Sequence, residues 1–194
     1  MHNFKANYDK ILEVLKSLDL ESENFLFQIR KPRLSDLEIV ALNLTSEYMS
    51  IDSEYQLFRI LPSDIKSLIE RSVYNRRKRR LFIHMERIRK LLAEKFNGSE
   101  KYFIVDSMPL EVCKLSRSSR SKICRETDYA IPNKGYCASQ KMHYYGYKLH
   151  AVCSAEGVFQ SLDISPASVH DIHYLKDIKQ QFKNCTLLAD KGYL

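Results

Sequence analysis

A chain of 194 residues with 44% hydrophobic content can bury a sizeable core in one or two domains, which excludes a disordered polypeptide. No stretch is long and apolar enough to span a membrane, and the first ten residues hold no apolar signal core, so a cytosolic, nucleoid-associated protein is expected. The net charge of +7 is unevenly spread: residues 71–90 carry nine Lys/Arg against one Glu and residues 112–148 eight against two, leaving a net-acidic remainder, so a polyanion such as nucleic acid is the first partner to consider.

Residues 4–18 place Phe4, Tyr8, Ile11, Leu12, Leu15 and Leu18 on one helical face. Residues 19–33 are polar, end in Lys31-Pro32-Arg33, and read as a connection or a frayed helix. Ser35 reads as an N-cap, followed by Asp36 and Glu38 where the helix dipole favours acids, and by Ile39, Val40, Leu42 and Leu44. After a break at Ser50–Ser53 comes a second short helix, Glu54–Leu61; the pair fits a helix-turn-helix and equally a small helical bundle. Pro62-Ser63-Asp64 opens a further helix, periodic from Ile65 to about Phe96, with a break expected near Tyr74-Asn75. Its middle is Arg76-Arg77-Lys78-Arg79-Arg80. Five adjacent bases repel one another without an anion nearby, which favours contact with DNA phosphates over a merely solvated face. Asn97-Gly98 closes the helical half, giving an expected helical, DNA-binding region over 1–97.

The pattern then changes to α/β. Lys101–Asp106, KYFIVD, reads as a short buried strand that ends on a carboxylate. Residues 107–141 read as irregular and basic, with SRSSRS at Ser116–Ser121 and Asn133-Lys134-Gly135 as loop chemistry. Residues 143–153 and 158–165 form a hairpin about the Glu156-Gly157 turn. Ser168–Phe182 is an amphipathic helix, and Cys185–Asp190, CTLLAD, is a second apolar run closed by Asp. Three strands, a crossover helix and a further strand are the opening of a ribonuclease H-like fold, which would bring Asp106 and Asp190 together at one rim. Two carboxylates without a nearby cation suit a hard divalent metal, the usual engine of phosphodiester chemistry. The fold class expected is α+β: an N-terminal helical domain followed by an incomplete ribonuclease H-like α/β domain over 98–194. The five cysteines are odd in number and hold no CxxC pair, so they read as reduced thiols in or near the core.

The segments VDSMPLEVC, YYGYKLHAV, SPASVHDIHYL and LLADKGYL resemble DDE-type insertion-sequence transposases, most closely the insertion-sequence group nine-eight-two. The matching positions are Asp106-Ser107, Tyr147-Lys148-Leu149-His150, His170-Asp171 and Asp190-Lys191-Gly192-Tyr193, and four such motifs in order are far more specific than any one. The resemblance covers roughly residues 100–194. It implies a site that holds two Mg²⁺ or Mn²⁺ ions between three carboxylates, with Asp106 and Asp190 as the first two. It implies cleavage of double-stranded DNA at the element's terminal inverted repeats and strand transfer into target DNA. Lys191 and the basic loop with Lys114, Arg117, Arg120 and Lys122 would hold DNA phosphate, as would Lys148. A homodimer is among the expectations, because transposition acts on paired ends.

The third acid of that family, a Glu on a helix well after the Asp-Lys-Gly-Tyr motif, has no position here, and Glu126 and Glu156 come too early to replace it. The expectation is that the 194-residue chain is catalytically inactive alone, as a truncated or frameshifted copy or as the first part of a frameshifted product. The alternative is a non-catalytic DNA-binding regulator, a repressor of the same element. A ribonuclease H-like repair nuclease is disfavoured by the His-Asp and Asp-Lys-Gly-Tyr motifs. A zinc set of His143, His150, His170 and His173 lacks sharp ligand spacing, and His170 fits better as a cap at the helix start.

Overall fold

The computed structural model describes residues 3–97 and 100–193 and divides into two compact units, one running to Leu92 and one from Ala93. Gly98, expected to terminate the last helix, lies outside the described residues.

The first unit is helical. Asn3 caps α1 (Phe4–Lys16), its side chain accepting from the Ala6 amide, and Phe4, Tyr8 and Leu15 turn inward as the periodicity requires. Residues 19–33 form no helix. At the head of α2 (Asp36–Tyr48) Ser35 and Glu38 close a reciprocal capping box, satisfying two backbone amides that the helix geometry leaves orphaned. Helix α2 is buried on almost every side, through Leu37, Ile39, Val40, Ala41 and Leu42, and is the centre of the bundle. The stretch from Ile65 to Phe96 is not one helix broken near Tyr74-Asn75. After α3 (Glu54–Ile60) and α4 (Ser63–Lys66), helix α5 (Arg71–Arg80) runs straight through those two residues, and α6 (Phe82–Asn97) follows. Tyr74 holds α5 in place, buried edge-on against Phe58 at 5.6 Å. The breaks fall instead at residues 67–70, between α4 and α5, and at Leu81, a fully buried side chain whose amide is shared between the carbonyls of Arg77 and Lys78.

The second unit is a five-stranded sheet with one helix on it. Strand β1 (Tyr102–Cys113) is twice as long as KYFIVD suggested: it passes through Asp106 and pairs antiparallel with β3 (Met142–Ser154) as far as Cys113. Asp106 therefore sits within the strand and not at its end. A second strand, β2 (Asn133–Cys137), arises inside the segment expected to be irregular. It pairs with Met142–Gly146, and β4 (Phe159–Pro166) takes over the same edge of β3 from Tyr147 onward. Gly146, opposite the bulge at Glu111–Cys113, is needed here, because a Cβ would overlap the Leu110 carbonyl. Helix α7 (Asp171–Ile178) is shorter than the periodicity over 168–182 suggested, and β5 (Thr186–Ala189) lies parallel to β1 on the side away from β3. Phe103 and Val105 of β1, Val152 of β3 and Tyr174 and Ile178 of α7 form the core, closed by Tyr193 and by Phe182 edge-on to Phe103. Among the described residues no helix is long and apolar enough to cross a membrane.

Candidate metal centre

The parallel pairing of β1 with β5 sets Val105 opposite Ala189, and Asp106 and Asp190 each follow directly on that last paired rung. Both carboxylates are exposed. Each is steadied by a backbone amide: Asp106 Oδ1 accepts from Ser107 N at 2.7 Å, and Asp190 Oδ1 accepts from Gly192 N at 2.9 Å. Neither pairs with a Lys or Arg among the described residues. They line one cleft of about 480 Å³ together with Ser107, Tyr144, Lys148, Asp171 and Gly192.

Asp171, given no role in the site by the sequence reading, is the third carboxylate of that cleft. It opens α7, whose N-cap is His170, with Nδ1 accepting from the Ile172 amide. Lys148 reaches from β3 to bond Asp171 Oδ1 at 2.8 Å and the Val169 carbonyl at 2.9 Å. Its charge is thus committed within the protein, which departs from the expectation of a free contact to DNA phosphate. Asp171 Oδ2 accepts from the Ser107 hydroxyl at 3.3 Å. Gly192 is closely packed: a Cβ there would lie 3.0 Å from Asp190 Oδ1 and 3.4 Å from Asp171 Oδ2. Behind this layer Tyr193 is buried, and that burial pushes its phenol above the ordinary tyrosine range. The sequence signal for these residues was present, since Ser107, Asp171, Gly192 and Tyr193 all belong to the motifs singled out, but only the packing assigns them neighbours.

The histidines do not gather into a metal set. His150 is buried, stacked on Tyr174 at 4.6 Å with Nε2 2.8 Å from Ser165 Oγ, while His143 leans on Tyr136 at 5.0 Å. Cys137, on the cleft wall, lies 3.2 Å from the Ser139 hydroxyl, whose hydrogen bond draws the thiol below its usual range. No cysteine is in a disulfide, and Cys124 is exposed rather than near the core.

The basic run splits by the period of α5. Arg76, Arg79 and Arg80 are exposed, and Lys78 leans on Glu54 at 3.2 Å. Arg77 points inward at 8% exposure, bonding Asp36 Oδ1 at 2.6 Å and the Leu34 carbonyl at 3.0 Å, so it offers nothing to DNA. In the second unit Lys114, Arg117, Arg120, Lys122 and Lys191 are all exposed.

A family model described as the transposase DDE domain matches residues 97–194, half of the chain. The chain belongs to the DDE transposases. No curated protein and no solved structure matches it. The mixed sheet with its parallel β1–β5 pair is consistent with the ribonuclease H-like fold of a DDE domain. Divalent metal is general in this family, and the chemistry of the donor set fits it: two uncommitted carboxylates offering only hard oxygen ligands, with water completing the coordination. Among the described residues no three His, Cys, Asp or Glu side chains converge on one metal position.

Proposed function

We propose that this chain is the DDE transposase of an insertion sequence, of the kind grouped as nine-eight-two, and that Asp106 and Asp190 hold Mg²⁺ or Mn²⁺ for cleavage and joining of DNA ends. The observation that carries this reading is the β1–β5 register, which pairs Val105 with Ala189, the residues directly before the two acids, together with the one cleft that both acids line. A divalent cation bound there would neutralise charge on the scissile phosphodiester and favour an oxygen nucleophile. The residues of this chain supply the rest. Asp106 and Asp190 fix the cation's place, and their backbone anchors keep each carboxylate from turning away. Lys191, exposed next to Asp190, would meet a phosphate flanking the cut. Arg76, Arg79 and Arg80 on α5, with Lys114, Arg117, Arg120 and Lys122, neutralise phosphates of double-stranded DNA.

The test is nicking of a duplex that carries the element's terminal repeats, with and without Mn²⁺. Metal-dependent nicking that disappears in both Asp106→Ala and Asp190→Ala supports the reading; nicking that survives either variant overturns it. A second reading, a DNA-binding regulator of the same element without chemistry, is favoured by one observation: among the described residues no third acid joins Asp106 and Asp190 at a metal position, Asp171 being paired with Lys148. It predicts repeat-specific DNA binding that Asp106→Ala leaves unchanged, with no nicking under any metal.

A further inference from the structure

We infer that Lys148 and Asp171 form a positioning pair that sets the geometry of Asp106 and Asp190, and that Asp171 is not itself a metal ligand; this rests on the metal-site reading above. The Asp171 carboxylate touches the segment that carries Asp106 and lies near the one that carries Asp190. Through Oδ2 it accepts from the Ser107 hydroxyl, and Ser107 donates its backbone amide to Asp106 Oδ1. The same Oδ2 lies near Gly192, where an added Cβ would come within 3.4 Å of it, and Gly192 donates its amide to Asp190 Oδ1. One side chain thus buttresses the hydrogen bond that steadies Asp106 and lies beside the turn whose amide steadies Asp190.

Lys148 makes this arrangement tolerable. A third carboxylate beside two others is repelled by them, and a lysine at 2.8 Å removes that repulsion while fixing the carboxylate's rotation. The second Lys148 bond, to the Val169 carbonyl, ties the same ammonium to the turn before α7. Both side chains are only 17% exposed, so solvent screens the pair little. The pair therefore joins β3, the entry to α7 and β1 at one point, beside the turn after β5. Outer groups of this kind, which orient ligands without touching the metal, typically change metal affinity by about 10–100-fold when removed.

The experiment is Mn²⁺ titration of the full chain, followed by the electron paramagnetic resonance of free Mn²⁺, with thermal melting as a check on folding. Asp106→Ala should abolish binding. Asp171→Asn and Lys148→Met should each weaken it by about 10–100-fold, and the double variant should be no weaker than either, because they remove one coupled unit. Lys148→Arg, which keeps the charge and two donors, should retain most of the affinity. If Asp171 were a ligand restrained by Lys148, Lys148→Met would release it and tighten Mn²⁺ binding; that result, or wild-type affinity in both single variants, overturns the inference. If Asp106→Ala binds Mn²⁺ as well as the wild type, the metal-site reading has failed. The pair is then judged by amide hydrogen exchange alone: faster exchange across residues 103–110 and 186–193 in Lys148→Met, at unchanged melting temperature, supports positioning, and unchanged exchange refutes it.

Discussion

Arg77 and Asp36 show what a buried charge does in the helical unit. Asp36 is 0% exposed, receives Arg77 on one oxygen, and on the other accepts the amides of Phe25 and Leu26 at 2.9 and 2.8 Å. The pair therefore ties α5 and the irregular segment before α2 to one carboxylate. Breaking such a pair leaves an uncompensated charge in the core, so Asp36→Ala should destabilise the chain by about 3–5 kcal/mol, read as a lower denaturant midpoint. In the second unit His150 is the residue with a pH signature. Burial holds its pKa below the ordinary histidine value, with Lys148 lowering it further and Asp171 and Asp163 opposing. The folded state thus binds fewer protons than the unfolded chain, so the stability His150 contributes is present above about pH 6.5 and is lost as the pH falls below it. Melting temperature should drop on acidification through that window, and His150→Phe should flatten that part of the profile.

Secondary structure tells a similar story one level up. The capping box at Ser35 and Glu38 was readable as residue types at a fixed spacing, because an N-cap depends only on local hydrogen bonds. The extent of β1 was not, since Ser107–Cys113 has no clean alternation and is a strand only because β3 lies beside it. Strand β2 hid for the same reason: Asn133-Lys134-Gly135 has turn chemistry, yet it pairs with Tyr144–Gly146. The close approach at Gly146 comes from the other side of β3, where it meets the β1 bulge. Gly146→Ala should cost about 1–3 kcal/mol through overpacking against the Leu110 carbonyl, measured by chemical denaturation.

Across the whole molecule the charge distribution carries the DNA prediction. The exposed part of the α5 run is Arg76, Arg79 and Arg80, not all five bases, because a helix of period 3.6 turns Arg77 inward. Replacing those three by Ala should weaken duplex binding and lower the salt slope by about 2–3 units, at 0.9 per lost phosphate contact. Arg77→Ala should instead act on stability, and its effect on the salt slope should be small. Binding titrations over a series of salt concentrations separate the two outcomes. A slope unchanged in the triple variant would move the DNA contact away from α5, towards the loop that holds Lys114 and Arg117.

Local information in the chain determined the helical first half, the caps, the apolar faces and the two strands that approach an aspartate, because each depends on neighbours within a few residues. The charge imbalance and the ordered motifs were equally legible, and with them the DDE family. Tertiary structure alone decided which of those residues meet. It set β5 parallel to β1 so that Asp106 and Asp190 both follow directly on the last paired rung, and it turned Arg77 into the core. It also spent Lys148 on Asp171 rather than on an external phosphate. Partners distant in sequence are chosen by packing and by the need to neutralise every buried charge, and neither is written in the spacing of residues along the chain.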